Sequence, residues 1–300
     1  MPSGIIIKGI GGFYYVKTSD GIYECKARGV FRKEDISPLT GDRVHISITD
    51  EEKKTGSLDS IEPRYSQLVR PAVANVNQIA IVIAAKSPSP DFMLLDKLLI
   101  TAEMKGLTPV ICINKVDLDE DGKCSDIESA YQKAGYSVVT LSKVLGIGYN
   151  DFRELLTDKI TVLAGQSGVG KSTILNHIMN SMVMQTGNIS EKIERGKHTT
   201  RHAELLQLED GGFIVDSPGF SSFELADIEH TELEAHYPEF RDYLGKCRFT
   251  GCSHVNEPDC EVKKAFHQGL IDPGRYSRYS ELFNAIKNIP KDYSKGKKKK

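Results

Sequence analysis

Eight consecutive residues, Gly165-Gln166-Ser167-Gly168-Val169-Gly170-Lys171-Ser172, satisfy the phosphate-cradling pattern G-x-x-x-x-G-K-[ST] at every defined position. A second nucleotide signature, Asn114-Lys115-Val116-Asp117, stands before them in the chain, whereas in guanine-nucleotide domains it usually comes after. Such a loop needs a strand that ends on it and a helix that starts from it. Ile160–Ala164 is a short apolar run of the buried parallel-strand kind, and apolar residues recur at helical spacing from Ser172 to Met179. These flanks constrain the chain to a doubly wound α/β domain, and the inverted motif order predicts that the domain is circularly permuted.

Each residue type in the loop has a task. Glycines let the backbone wrap close and turn its N–H groups inward, and the helix that follows adds its positive end. Lys171 is placed for the β- and γ-phosphates and Ser172 for Mg²⁺, with Thr173 completing the nucleotide-binding run. The loop alone does not separate ATP from GTP. Asp117 follows the apolar run Leu107–Ile113, and a carboxylate there accepts two hydrogen bonds from guanine. Adenine lacks that pair of donors and would leave the charge unpaired. Asn114 and Lys115 are expected to brace loop and base. Ser142, in Thr140-Leu141-Ser142-Lys143, is expected at a second guanine-contacting loop.

The run Gly212–Gly219 reads as a strand closing on D-x-P-G, where Asp216 is expected to hold Mg²⁺ and the Gly219 N–H to meet the γ-phosphate. Upstream lies the polar stretch Gln185–His202. One threonine in it should ligate Mg²⁺ and sense the γ-phosphate: Thr200, with Thr199 the alternative. Phe220 follows the D-x-P-G element where many such enzymes carry a water-orienting Gln. An apolar ring cannot orient water, so unaided turnover should be slow. His198 is the nearest polar candidate for catalysis, and it reads equally well as a loop histidine without that role.

Six strands are expected in the nucleotide domain: Gln78–Ala85, Leu107–Ile113, Tyr136–Leu141, Ile160–Ala164, Ala203–Leu208 and Phe213–Asp216. The domain is read as residues 66–224. Its exit falls directly after the second switch, so the region beyond is expected to move with nucleotide state. That region, 225–300, is read as a zinc-binding, mainly helical domain. Cys247-x₄-Cys252-x-His254-x₅-Cys260 packs a Cys₃His set into fourteen residues. Four such ligands close a tetrahedral site, which favours a structural role. A disulfide framework lacks any sign of export, and buried cysteines beside a surface histidine are the plain alternative.

Residues 1–65 differ in texture. Five short strand-like runs, Ile5–Ile10, Phe13–Val16, Ile22–Arg28, Arg43–Ile48 and Ser57–Ile61, are punctuated by turn residues and predict an OB-fold barrel. Phe13, Tyr14, Tyr15, Tyr23 and Phe31 are readable either as a stacking platform for nucleic acid or as core. Arg64 to Val73 reads as the linker. The net charge of −2 is uneven: residues 241–300 carry 14 Lys and Arg against 7 Asp and Glu, a net +7 that leaves −9 on the rest. The closing Lys295-Gly296-Lys297-Lys298-Lys299-Lys300 is either a contact for a polyanion such as RNA or a solubilising tail. No apolar stretch reaches the length of a membrane span, so a cytoplasmic location without membrane contact is the expectation, and a monomer is the default reading.

The permuted motif order, the small barrel before it and the Cys₃His knot after it resemble the ribosome small-subunit-dependent GTPase A family, RsgA. Gly41-Asp42-x-Val44 and Leu68-x-Arg70-Pro71 are similar to that family's running sequence as well. The resemblance covers nearly the whole chain. It implies GTP as substrate and GDP as product, Mg²⁺, one structural zinc, and partnership with the small (30S) ribosomal subunit and its rRNA. It further implies late maturation of that subunit and hydrolysis stimulated by it. In the family a histidine in the Gly-x-His-Thr-Thr stretch is implicated in hydrolysis, which matches His198, and an apolar residue replaces the catalytic Gln, which matches Phe220. One departure is Thr199-Thr200-Arg201, where many relatives have a third Thr. A protein-regulated signalling GTPase that does not act on ribosomes is the rival reading, and use of ATP a third.

Overall fold

The computed structural model describes residues 1–29, 31, 36–186, 203–209, 211–220 and 228–289. His198, Thr199, Thr200 and the basic tail from Lys295 lie outside the described residues.

The chain opens with five strands, β1 (Ser3–Ile10), β2 (Phe13–Thr18), β3 (Gly21–Ala27), β4 (Arg43–Asp50) and β5 (Thr55–Ile61). They close into a barrel in the order β1-β2-β3-β5-β4, with β4 paired back onto β1 and β3 parallel to β5. Alternation decides what fills it: Ile6, Val16, Tyr23, Cys25, Val44, Ile46 and Leu58 point inward and are buried. Tyr23 and Phe31 therefore belong to the core, while Phe13, Tyr14 and Tyr15 stay half-exposed. The stretch read as a linker contains a hairpin, β6 (Gln67–Val69) and β7 (Ala72–Ala74).

Among the described residues the central sheet has six strands, in the order β10-β9-β8-β11-β13-β12. They are β8 (Gln78–Ala84), β9 (Thr108–Asn114), β10 (Ser137–Leu141), β11 (Ile160–Ala164), β12 (Glu204–Gln207) and β13 (Phe213–Phe220). All pairings are parallel except β12 with β13. Every residue of β8 is buried. Its Ile79, Ile81 and Ile83 pack toward α1 (Phe92–Met104) and α2 (Lys123–Lys133), while Ala80, Val82 and Ala84 face α3 (Tyr149–Leu156) and α4 (Lys171–Thr186). A continuous apolar run is what a strand covered on both faces requires.

The path of the chain fixes where a ligand sits. From β8 it steps outward to β9 and β10, then returns to β11 on the other side of β8. The crevice at the carboxyl ends of β8 and β11 is thus a topological switch point, the place where open α/β sheets bind ligands.

Beyond residue 228, two 3₁₀ turns (Leu233–His236 and Pro238–Phe240), α5 (Glu261–His267) and α6 (Pro273–Lys287) share one core. Asp272 caps α6 by accepting from the Arg275 N–H, with Pro273 in the first turn. That core includes Ile100 of α1, so the unit packs on the nucleotide domain as well as being joined to it by the chain.

Candidate functional site: a nucleotide cradle and a thiolate–imidazole knot

The phosphate loop joins β11 to α4, and its two outer glycines are conformational necessities. Gly165 has φ +129°, and a Cβ there would stand 2.1 Å from the Val82 carbonyl oxygen. Gly170 has φ +102°, and a Cβ would stand 2.3 Å from Asn114 Nδ2. Both the left-handed backbone and the lack of space exclude any other residue. Ser167, Gly168, Ser172 and Thr173 are exposed along the rim, whereas Val169 is buried in the core beneath. The Lys171 ammonium donates to the carbonyls of Gly165 at 2.7 Å and Gln166 at 2.8 Å. Burial lowers its pKa from the ordinary lysine value.

Asn114 and Lys115, more than fifty residues upstream, close on this loop. Asn114 Nδ2 donates to the Val169 carbonyl at 2.8 Å. Lys115, held in the left-handed region at φ 60°, donates from Nζ to the Gly168 carbonyl at 2.8 Å and the Ser87 carbonyl at 2.5 Å. Asp117 sits in the 3₁₀ turn Val116–Leu118, and one of its carboxylate oxygens accepts from the Ser142 hydroxyl at 2.5 Å. Ser142 Oγ in turn accepts from the Leu145 N–H at 3.1 Å. The four-residue signature therefore faces the phosphate loop at one end and the β10 loop at the other. Ser87 is a participant that no sequence motif marked; only the β8 exit brings it there.

Asp216 and Gly219 lie one strand further along. In the pairing of β11 with β13, Val162 opposes Val215 and Ala164 opposes Phe220, so Asp216 to Gly219 bulge out opposite Leu163. The bulge places the D-x-P-G element at the carboxyl edge, beside the phosphate loop. Ser172 and Asp216 offer hard oxygen donors of the type Mg²⁺ takes.

The second cluster is compact. One ligand atom from each of Cys247, Cys252, His254 and Cys260 lies within 4.8 Å of the others. Cys247 Sγ stands 3.8 Å from Cys260 Sγ and 3.5 Å from His254 Nδ1, and His254 Nδ1 stands 3.3 Å from Cys260 Sγ. With Zn–S near 2.3 Å, a tetrahedral site has S···S edges of about 3.8 Å, so the donors fit zinc. His254 turns Nδ1 toward the sulfurs, and its Nε2 lies 2.6 Å from the Glu234 carboxylate without meeting hydrogen-bond geometry. Tyr276 and Tyr279 donate to the carbonyls of His254 and Ser253 at 2.7 and 2.9 Å and steady the ligand loop. Burial pushes the Cys252 thiol up to about 12 and raises Cys260 too.

A permuted sheet whose cradle is shared by a phosphate loop and an Asn-Lys-x-Asp turn, preceded by an OB-like barrel and followed by a Cys₃His knot, defines a circularly permuted GTPase. The RsgA GTPase family model matches residues 61–226 and the RsgA N-terminal domain model residues 3–56. The chain belongs to the RsgA GTPase family.

A protein of Ruminiclostridium cellulolyticum named small ribosomal subunit biogenesis GTPase RsgA is 59% identical, covering 99% of this chain and 97% of its own. One of the same name from Agathobacter rectalis is 46% identical, covering 96% and 99%. Among solved structures, YjeQ of Thermotoga maritima superposes with a TM-score of 0.83 at 36% identity, covering 96% of this chain and 99% of that one. YloQ, described as a circularly permuted GTPase, superposes with a TM-score of 0.80 at 37% identity, covering 98% and 97%.

Proposed function

We propose that this protein hydrolyses GTP during late maturation of the small ribosomal subunit, that it binds that subunit through rRNA, and that the subunit stimulates hydrolysis. The observation that carries the GTP reading is the pair of contacts from Asn114 to Val169 and from Lys115 to Gly168, which gives base selection and phosphate binding one shared wall. Relatives that bear the name of a small-subunit biogenesis GTPase along essentially the full length support the ribosomal role.

In this reading Asp117 accepts from the guanine edge, and Ser142 holds the carboxylate at the angle that leaves its other lone pairs for the base. The backbone from Gly165 to Gly170 donates to the phosphates. Lys171 leaves its two carbonyl partners for the β- and γ-oxygens, where an anion restores the charge that burial disfavours. Ser172 and Asp216, with Thr200 or Thr199, hold Mg²⁺, which when bound neutralises charge developing on the β- and γ-phosphates. The Gly219 N–H meets the γ-phosphate, and His198 orients the attacking water in place of the glutamine that Phe220 displaces. Cys247, Cys252, His254 and Cys260 hold zinc as a crosslink of the carboxy-terminal unit. The protein works in the cytoplasm, where ribosomal subunits are assembled and thiolates stay reduced.

The test is turnover of GTP with and without purified small subunits across a salt series. Stimulation that declines steeply as salt rises is expected, because phosphate contacts release counterions. Equal turnover with and without subunits would count against the ribosomal role.

A further inference from the structure

The barrel does not merely precede the nucleotide domain; it grips the strand beside the metal-side carboxylate. On β1, Ile6 points into the barrel core, whereas Ile5 and Ile7 pack on the nucleotide-domain core that contains Ala203 and Leu205. A register shift between Ile6 and Lys8 breaks the alternation of β1. Strict alternation would turn Lys8 inward with Ile6; the irregularity re-aims it, and its ammonium lies 3.0 Å from the Glu204 carboxylate. Thr40, from the segment before β4, donates from Oγ1 to the Ala203 carbonyl at 3.0 Å in a buried contact. Glu204 is the first residue of β12 and Ala203 immediately precedes it, and in the β12–β13 ladder Glu204 stands directly opposite Asp216.

We infer that Lys8 and Thr40 are positioning residues for the GTPase reaction: the barrel holds Ala203 and Glu204, and through the ladder pair of Glu204 the Asp216 backbone, at the distance from the phosphate loop that Mg²⁺ coordination requires. This deepens the proposed function and rests on its reading of Asp216 as the metal-side carboxylate. The chemistry at issue is divalent-cation binding with a nucleoside triphosphate. A partner that seats on the barrel thereby acts on the metal side of the site without touching the nucleotide. The connection is short: two side chains from the barrel, one residue pair of β-ladder, then the carboxylate.

The experiment measures the Mg²⁺ concentration that half-saturates binding of a fluorescent, non-hydrolysable GTP analogue to the full-length protein. Lys8→Glu sets two acids face to face, and Thr40→Val strands a buried carbonyl. Each should raise the Mg²⁺ requirement about fivefold, while GDP affinity measured without Mg²⁺ stays within about twofold, a split that general loosening of the fold does not produce. Lys8→Glu combined with Glu204→Lys restores the ion pair with its polarity reversed and should return the requirement to within about twofold of wild type. Lys8 is partly exposed, so its variant folds even if Thr40→Val does not. Unchanged Mg²⁺ requirements in both variants, with a raised one in Asp216→Asn, would overturn the inference and leave the site reading intact. An unchanged requirement in Asp216→Asn itself would remove both.

Discussion

The Arg275 guanidinium lies 2.6 Å from the Asp96 carboxylate, joining α6 to α1 across 179 residues of sequence, and both side chains are buried. Asp96 also accepts from Arg278 Nε at 2.5 Å and from the Tyr131 hydroxyl at 2.9 Å, while Glu239 takes Arg275 on two oxygens at 2.6 and 3.0 Å. Every charge has a partner, which is the condition for leaving such groups dry. The carboxy-terminal unit is therefore fastened to α1, and any nucleotide-linked movement of it has to carry α1 along.

Removing one member of that network strands the rest. Asp96→Ala should cost about 3–5 kcal/mol in denaturant unfolding, since it leaves Arg278 without its carboxylate and removes one of the two that hold the buried Arg275. Replacing Asp96, Arg275, Arg278 and Glu239 together by apolar residues of similar volume should cost much less. Equal losses in the single and quadruple variants would contradict the view that stranded charge is what destabilises.

Zinc binding should be strongly pH-dependent. The Cys252 thiol, pushed up to about 12, and the raised Cys260 thiol are protonated at neutral pH without metal, so each must release its proton to bind. Raised thiol pKa values favour the metal-free form below them, and affinity therefore falls as pH drops. The two raised thiols alone make this at least about a hundredfold per pH unit, since each ligating cysteine gives up its proton. A competition titration against a chromophoric chelator reads this directly, and a flat profile would contradict it. In the same assay Glu234→Ala should weaken binding about 10–100-fold, because the carboxylate beside Nε2 fixes which imidazole nitrogen faces the sulfurs.

Gly170→Ala should abolish measurable nucleotide binding while leaving the fold standing. The new Cβ meets Asn114 Nδ2 at 2.3 Å on a backbone at φ +102°, and the strain falls on the contact that joins the two motifs. Isothermal titration with GDP, beside a thermal melt, distinguishes a lost site from a lost fold. Retained affinity would mean that the loop can open away from Asn114 without consequence.

Much of this was legible where the chemistry is local. The Ile-Ala-Ile-Val-Ile-Ala run of β8 announces a strand covered on both faces, and the Cys₃His set lies within fourteen residues. Contacts between distant elements were not. Nothing in sequence pairs Asp96 with Arg275, although an acid among Leu94, Leu95, Leu98 and Leu99 breaks the apolar stripe of α1 and was a signal of a buried partner. The β6–β7 hairpin hides because two three-residue strands around Arg70-Pro71 carry too little periodicity to separate from a linker. Lys8 is illegible for a different reason: its reach to Glu204 depends on an irregularity in β1, which pattern reading replaces with strict alternation.

The most direct measurement is base preference in Asp117→Asn. An amide at that position cannot accept both guanine donors but donates to the 2-oxo group of xanthine. Affinity for GDP should fall at least about a hundredfold and affinity for xanthosine diphosphate should rise, with Lys171→Ala abolishing binding of both. If Asp117→Asn instead binds the two nucleotides as the wild type does, the Asn-Lys-x-Asp turn and the phosphate loop do not hold the same molecule.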